Sequence, residues 1–134
     1  MPIQYAYDIF ISYSHKDSPW VTGELLPKLE QHGFRVFIDF RDFQSGSFSV
    51  TEMERAVNSS KRVLLVLTDD YIKSDWGTFE NVMGQTTDPA AINRKLIPVL
   101  RGTCNIPLRL QILHYRDLRN NDPQQWDLLI RDLM

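Results

Sequence analysis

Disulfides are excluded at the outset, because the chain carries a single cysteine, Cys104. With no histidine beside it in sequence, Cys104 reads as a passive loop or core residue, and a reducing, intracellular setting is the default expectation. Histidine is almost as scarce. His15, His32 and His114 stand far apart with no metal-ligand spacing, so no metal site is expected. The six glycines never gather into a phosphate-cradling loop, which removes the Walker and dinucleotide-fingerprint classes. No apolar run approaches membrane-spanning length, and Met1-Pro2-Ile3-Gln4 has neither the charged nor the apolar part of a signal peptide. A net charge of −2 gives no electrostatic case for direct binding to nucleic acid or to an anionic membrane. A cytoplasmic protein follows as the expectation.

What is present is ordinary for a folded domain: 134 residues, 43% hydrophobic and 24% charged. That length suits one domain over residues 1–134, and an amphipathic helix running to the last residue suggests a domain cut from a longer multidomain protein. Strands are expected at Asp8–Tyr13, Phe34–Asp39, Arg62–Leu67, Arg94–Leu100 and Ile112–Leu118, each apolar or β-branched. Helices alternate with them. Ser18-Pro19 opens the first, which runs to a Gly33 C-cap with a bend expected at Pro27. Ser49-Val50-Thr51-Glu52 reads as a capping box with Glu52 reaching back to Ser49, and Met53, Ala56 and Val57 form the buried stripe of that helix. Gln85-Thr86-Thr87-Asp88-Pro89 reads as a connection. Pro98 cannot donate to a ladder, so the fourth strand is expected near an edge or with a bulge. Asp122-Pro123 opens a last helix with Trp126, Leu129, Ile130 and Leu133 inward.

Strands alternating with helices imply parallel pairing through right-handed crossovers. The expected fold is α/β: a flavodoxin-like, three-layer arrangement with a five-stranded parallel sheet in the order 2-1-3-4-5 and helices on both faces. Ligands of such sheets bind outside the carboxyl ends of the strands, where the order reverses between strands one and three. Three segments border that point: Ser12–Asp17, Asp39–Ser49 and Thr68–Glu80. In the last, Ser74 is a plausible N-cap and Trp76, Glu80 and Gly84 form one helical column at i, i+4 and i+8. A phosphoacceptor receiver does not fit, because strand one ends in Ser12-Tyr13 rather than in the acidic pair such a site needs for Mg²⁺. A flavin-phosphate site does not fit either, since Ser14-His15-Lys16-Asp17 has no glycine.

Three of these stretches carry a family likeness. Asp8-Ile9-Phe10-Ile11-Ser12-Tyr13-Ser14 resembles the first box of Toll/interleukin-1 receptor (TIR) domains. Gly33-Phe34-Arg35-Val36-Phe37-Ile38-Asp39, followed by Gly46 and Phe48, is similar to their second strand and BB loop. Ser74-Asp75-Trp76-Gly77-Thr78-Phe79-Glu80 resembles the Ser/Cys-to-Glu segment of NAD-cleaving members. The resemblance implies an NAD⁺ nucleosidase that releases nicotinamide and ADP-ribose or a cyclic isomer, is switched on by self-association, and serves immune defence or cell-death signalling. It implies NAD⁺ as substrate rather than cofactor, and other TIR domains as partners in homo-oligomers or filaments. Glu80 then takes the catalytic role, stabilising the oxocarbenium-like ribose. Ser12, Tyr13, Ser14, His15, Asp39, Phe43, Gly46, Ser74 and Trp76 are the implied substrate-binding positions, with Asp39 steadying the BB loop and Trp76 packing beneath the site. The chain reads Ser14-His15 where some NAD-cleaving members have basic residues after the Tyr, and it lacks the Pro-Gly pair that many receptor and adaptor members carry in the BB loop. The alternative is a non-catalytic scaffold for TIR–TIR signalling.

Overall fold

The computed structural model describes residues 5–46, 49–84 and 95–134, together with the backbone but not the side chain of Ser49. Strands β1 (Tyr7–Ser12), β2 (Val36–Phe37), β3 (Ser60–Leu67), β4 (Leu96–Leu100) and β5 (Arg116–Asp117) form one sheet in the order β2-β1-β3-β4-β5. Every neighbouring pair is parallel. This is the expected flavodoxin-like order, with the reversal between β1 and β3.

Alternation along the central strands sends side chains to two cores. Ile9, Ile11, Leu64 and Val66 pack on one side against Val21, Leu25 and Leu29 of the first helical segment and Trp126, Leu129 and Leu133 of the last. Phe10, Val63, Leu65 and Leu67 pack on the other side with Ala56, Val57, Tyr71, Trp76 and Phe79. The first segment comprises α1 (Ser18–Trp20), a π-helical turn (Val21–Leu25) and α2 (Leu26–Gln31). Helices α3 (Asp39–Asp42), α4 (Ser49–Ser59), α5 (Asp69–Ser74), α6 (Trp76–Gly84), α7 (Leu108–Gln111) and α8 (Pro123–Leu133) follow. A central strand buried on both faces explains why β3 is a continuous apolar run, each fully buried Leu or Val contributing about 1.5–3 kcal/mol.

The bend expected at Pro27 takes the form of the π-turn just before it. The Leu26 amide donates to the Val21 carbonyl, five residues back. That wider turn gives the proline ring room where a regular turn would press it on the carbonyl of Gly23. Gly33, at φ +84°, ends the segment as expected. Its amide donates to the Glu30 carbonyl and that of Phe34 to the Leu29 carbonyl, the paired bonds of a Schellman cap.

Pro98 lies opposite Leu65 on β4, the strand next to the edge of the sheet, as expected. It is tolerated because β5 joins the outer side of β4 only at Val99 and Leu100. β5 is two residues rather than Ile112–Leu118; a short helix, α7, occupies Leu108–Gln111, and Ile112 is exposed. β2 is likewise shortened, between the Gly33 cap and the start of α3 at Asp39. The Gln85–Pro89 connection and Arg94 lie outside the described residues.

Candidate functional site

A cleft of about 210 Å³ opens at the carboxyl ends of β1, β2 and β3, at the switch point of the sheet. Ser12, Tyr13 and His15 line it from β1 and the turn that follows, Asp39 and Phe43 from the loop after β2, and Met53 from α4. Asp75 and Thr78, from the α5–α6 junction, close its third side.

Asp39 organises the cleft. Its Oδ1 accepts the Tyr13 hydroxyl at 2.8 Å and the Phe40 amide at 2.7 Å. Its Oδ2 lies 2.6 Å from His15 Nε2. One carboxylate therefore ties the loop after β1 to the loop after β2. The Asp39 hydrogen bond pulls the His15 pKa above 6.5, with Asp75 adding to the pull. Burial and the same carboxylate push the Tyr13 phenol upward, so it remains a neutral donor.

Beneath the cleft the polar groups hold one another. Ser12 Oγ and the Tyr71 hydroxyl are 2.8 Å apart and buried. Thr68 caps α5 by accepting the Tyr71 amide at 3.1 Å, and donates its own hydroxyl to Asp17 Oδ2 at 2.6 Å. Strand β1 and its turn are thereby fastened to the start of α5.

The capping box expected at Ser49–Glu52 involves the Ser49 side chain, which lies outside what is described; Glu52 itself serves a neighbouring loop. Its carboxylate is buried and accepts from the Gln44 amide and from Arg55, whose Nε lies 2.9 Å away. Arg55 Nη2 in turn donates to the Asp42 carbonyl at 2.8 Å. A charge-assisted bond to the amide of a neighbouring loop anchors that loop on α4.

The Ser74 segment also differs from expectation. Ser74 ends α5 instead of capping the next helix, and its hydroxyl, with one hydrogen to donate, lies 2.7 Å from both the Asp70 carbonyl and Asp75 Oδ2. Asp75 is the pivot: its amide donates to the Tyr71 carbonyl, closing α5, and its carbonyl accepts the Phe79 amide, opening α6. On α6, Trp76, Phe79, Val82 and Met83 face the core, with Trp76 stacked on Phe79 at 6.0 Å. Glu80 and Gly84 are exposed, so the expected column is split: its Trp is core and its Glu is not. At about 100° per residue, Thr78 and Glu80 stand on opposite flanks of the helix, and Glu80 is outside the cleft lining.

The structure thus brings together Ser12, Tyr13, His15, Asp39 and Phe43 of the expected positions. Ser14, Gly46, Ser74, Trp76 and Glu80 lie off the lining: Ser14 is buried and accepts the Lys16 amide, and Gly46 is an exposed turn residue at φ +84°. Met53 was missed as a lining residue, while Asp75 and Thr78 fall within the expected Thr68–Glu80 segment but were not singled out in it. The break in the helix at Asp75 is the feature that puts Asp75 and Thr78 there, and no helix-stop signal in the sequence marks it. Among the described residues no group of side chains has metal-binding geometry, and no helix is long and apolar enough to cross a membrane.

Comparison with known proteins gives a consistent result. The family model of the TIR domain matches residues 9–133. Human Toll-like receptor 4 is 30% identical over 125 residues, covering 90% of this chain but only 15% of the receptor. The chain therefore spans a small part of the curated relatives it matches. The crystal structure of the TIR domain of the Toll-related receptor TRR-2 from Hydra magnipapillata superposes with a TM-score of 0.81 at 29% identity, covering 96% of this chain and 98% of that one. A metazoan TIR-STING receptor from C. gigas gives a TM-score of 0.74 at 26% identity, covering 99% of this chain and 42% of that one.

Proposed function

The chain belongs to the TIR domain family, and on that premise we propose that it is an NAD⁺ nucleosidase whose site is completed by self-association, acting in defence or cell-death signalling. The observation that carries this reading is the cleft itself: hydroxyl, imidazole and carboxylate groups converge at the ligand position of the sheet beside the aromatic rings of Tyr13 and Phe43. Such a wall suits a flat nicotinamide and a hydroxyl-bearing ribose. The cleft is smaller than the ~300–1,000 Å³ of typical small-molecule sites, and Glu80 is exposed, so a second copy must add wall and exclude water before a carboxylate can stabilise an oxocarbenium charge. The bond that breaks is the one between nicotinamide and ribose, with nicotinamide leaving neutral, so no strong acid is required.

A second reading, a non-catalytic scaffold for homotypic signalling, draws on the exposed apolar side chains of Phe40, Leu108 and Ile112 and on the receptor relatives. Nicotinamide release by the domain clustered on a surface, beside Glu80→Ala, separates the two. Turnover abolished in the variant supports the nucleosidase; no turnover from the clustered parent leaves the scaffold.

A further inference from the structure

Resting on the nucleosidase reading, we propose that His15 and Asp39 form a base dyad that takes the proton from the water capturing the ribose. Asp39 is a carboxylate and only accepts, so His15 Nε2, 2.6 Å from it, carries the hydrogen in both protonation states. The basic position of the neutral ring is therefore Nδ1, which has no partner among the described residues. Asp39 is itself held by the Tyr13 hydroxyl and the Phe40 amide, so the imidazole is oriented by a fixed group. A cleft residue with one ring nitrogen locked and the other free is the arrangement of a positioned general base. The groups facing it are Asp39 from the loop after β2, Asp75 from the α5–α6 junction and Tyr13 beside it, while the neighbouring Lys16 is turned to Asp70 at 3.6 Å.

The step balances. The C1′–N bond breaks with its electron pair passing to the nicotinamide nitrogen, which leaves neutral. The water oxygen bonds to C1′, and its proton passes to His15 Nδ1, giving an imidazolium paired with Asp39. Asp39 acts through His15 and is a positioning residue. Capture of the ribose by a nitrogen of the substrate's own adenine releases no proton in that step and needs no base. Loss of the dyad therefore alters the products as well as the rate.

The test is NAD⁺ turnover by the clustered domain, with nicotinamide, linear ADP-ribose and cyclised product resolved, for the parent, His15→Gln, Asp39→Asn and Glu80→Ala across pH. The dyad predicts that His15→Gln lowers linear ADP-ribose formation by about 100-fold, loses the acidic limb of the kcat/KM profile and raises the cyclic share. It predicts that Asp39→Asn keeps the limb but moves it to lower pH. Parental rate, limb and product ratio in a folded His15→Gln protein overturn the dyad while leaving the nucleosidase standing. Silence of the parent itself removes the nucleosidase reading and the dyad with it. Far-UV circular dichroism of each variant ties these outcomes to the site.

Discussion

The Ser12–Tyr71 bond under the cleft gives a prediction with an asymmetry. Ser12 is 5% exposed and borders the cleft, whereas Tyr71 is 0% exposed on α5. Ser12→Ala leaves the Tyr71 hydroxyl sealed among apolar groups with its partner gone, at a cost of ~2 kcal/mol. Tyr71→Phe leaves the Ser12 hydroxyl unpaired next to the cleft, where water can reach it, so its cost is nearer ~1 kcal/mol. Removing both hydroxyls leaves nothing unsatisfied, and the double variant should cost ~1 kcal/mol rather than the ~3 kcal/mol expected from independent sites. For a chain of 134 residues, 1 kcal/mol shifts Tm by ~3.5 °C. Thermal unfolding should thus fall by ~7 °C in Ser12→Ala and by ~3.5 °C in both Tyr71→Phe and the double variant. Additive shifts, or Tyr71→Phe costing more than Ser12→Ala, would refute the reasoning and return Ser12 to a substrate-contacting hydroxyl.

Three further outcomes follow from the geometry. Glu52→Gln weakens the anchor on the Gln44 amide and on Arg55, so amide hydrogen exchange at Gln44 should accelerate while β3 stays protected. Since Arg55 holds the Glu52 pKa below 4.5, that anchor is in force above this value and is lost as pH falls through the lowered folded pKa. His15 has the opposite sign. Its pKa is raised in the folded state, so the extra stability of the charged Asp39 contact is complete below 6.5 and is lost as pH rises through the folded value, leaving the neutral hydrogen bond; the Tm difference between parent and His15→Gln should be largest in mild acid and smaller in mild base. Among glycines, Gly77→Ala on α6 has open space around the new Cβ and should gain up to ~1 kcal/mol, whereas Gly33→Ala at φ +84° should lose about that much in the same denaturant titration.

The fold was legible because its main signals are strong and agree. The β3 run, the alternation of apolar segments with capped helices and the Asp122-Pro123 start each point to the same doubly wound sheet. What was not legible depends on where chain segments meet. Glu52 sits where a capping-box residue would, and a neighbouring loop supplies an amide it accepts. Helical periodicity placed Trp76 and Glu80 on one column, but that column runs along the margin of the buried face set by Phe79, Val82 and Met83, so the Trp reaches the core and the Glu, about 40° further round, does not. β2 and β5 were expected too long because apolar residues next to a two-residue edge ladder look like strand in sequence. The cleft itself was located from topology alone, and Tyr13, His15 and Asp39 were among its expected residues.

The proposed self-association can be tested at Phe40. The ring is 63% exposed on α3, one residue after the Asp39 hub and on the loop that walls the cleft. Among the described residues its side chain joins neither hydrophobic core. Its backbone amide is what Asp39 holds at 2.7 Å, and that bond survives substitution. Phe40→Ser should therefore leave the fold, the Asp39–His15 contact and the thermal stability unchanged, within ~0.5 kcal/mol, as for other exposed positions. If copies meet through this loop, the variant loses apolar contact area only at the interface, of the kind whose truncation costs ~1–2 kcal/mol in binding or more. Nicotinamide release in dilute solution should then fall about 5- to 30-fold, since each 1.4 kcal/mol is a factor of ten in association. Crowding the variant on beads restores the rate, because high local concentration replaces lost affinity. A variant matching the parent at every concentration would show that the loop does not carry assembly. One that stays inactive even when crowded would place Phe40 in the cleft chemistry instead.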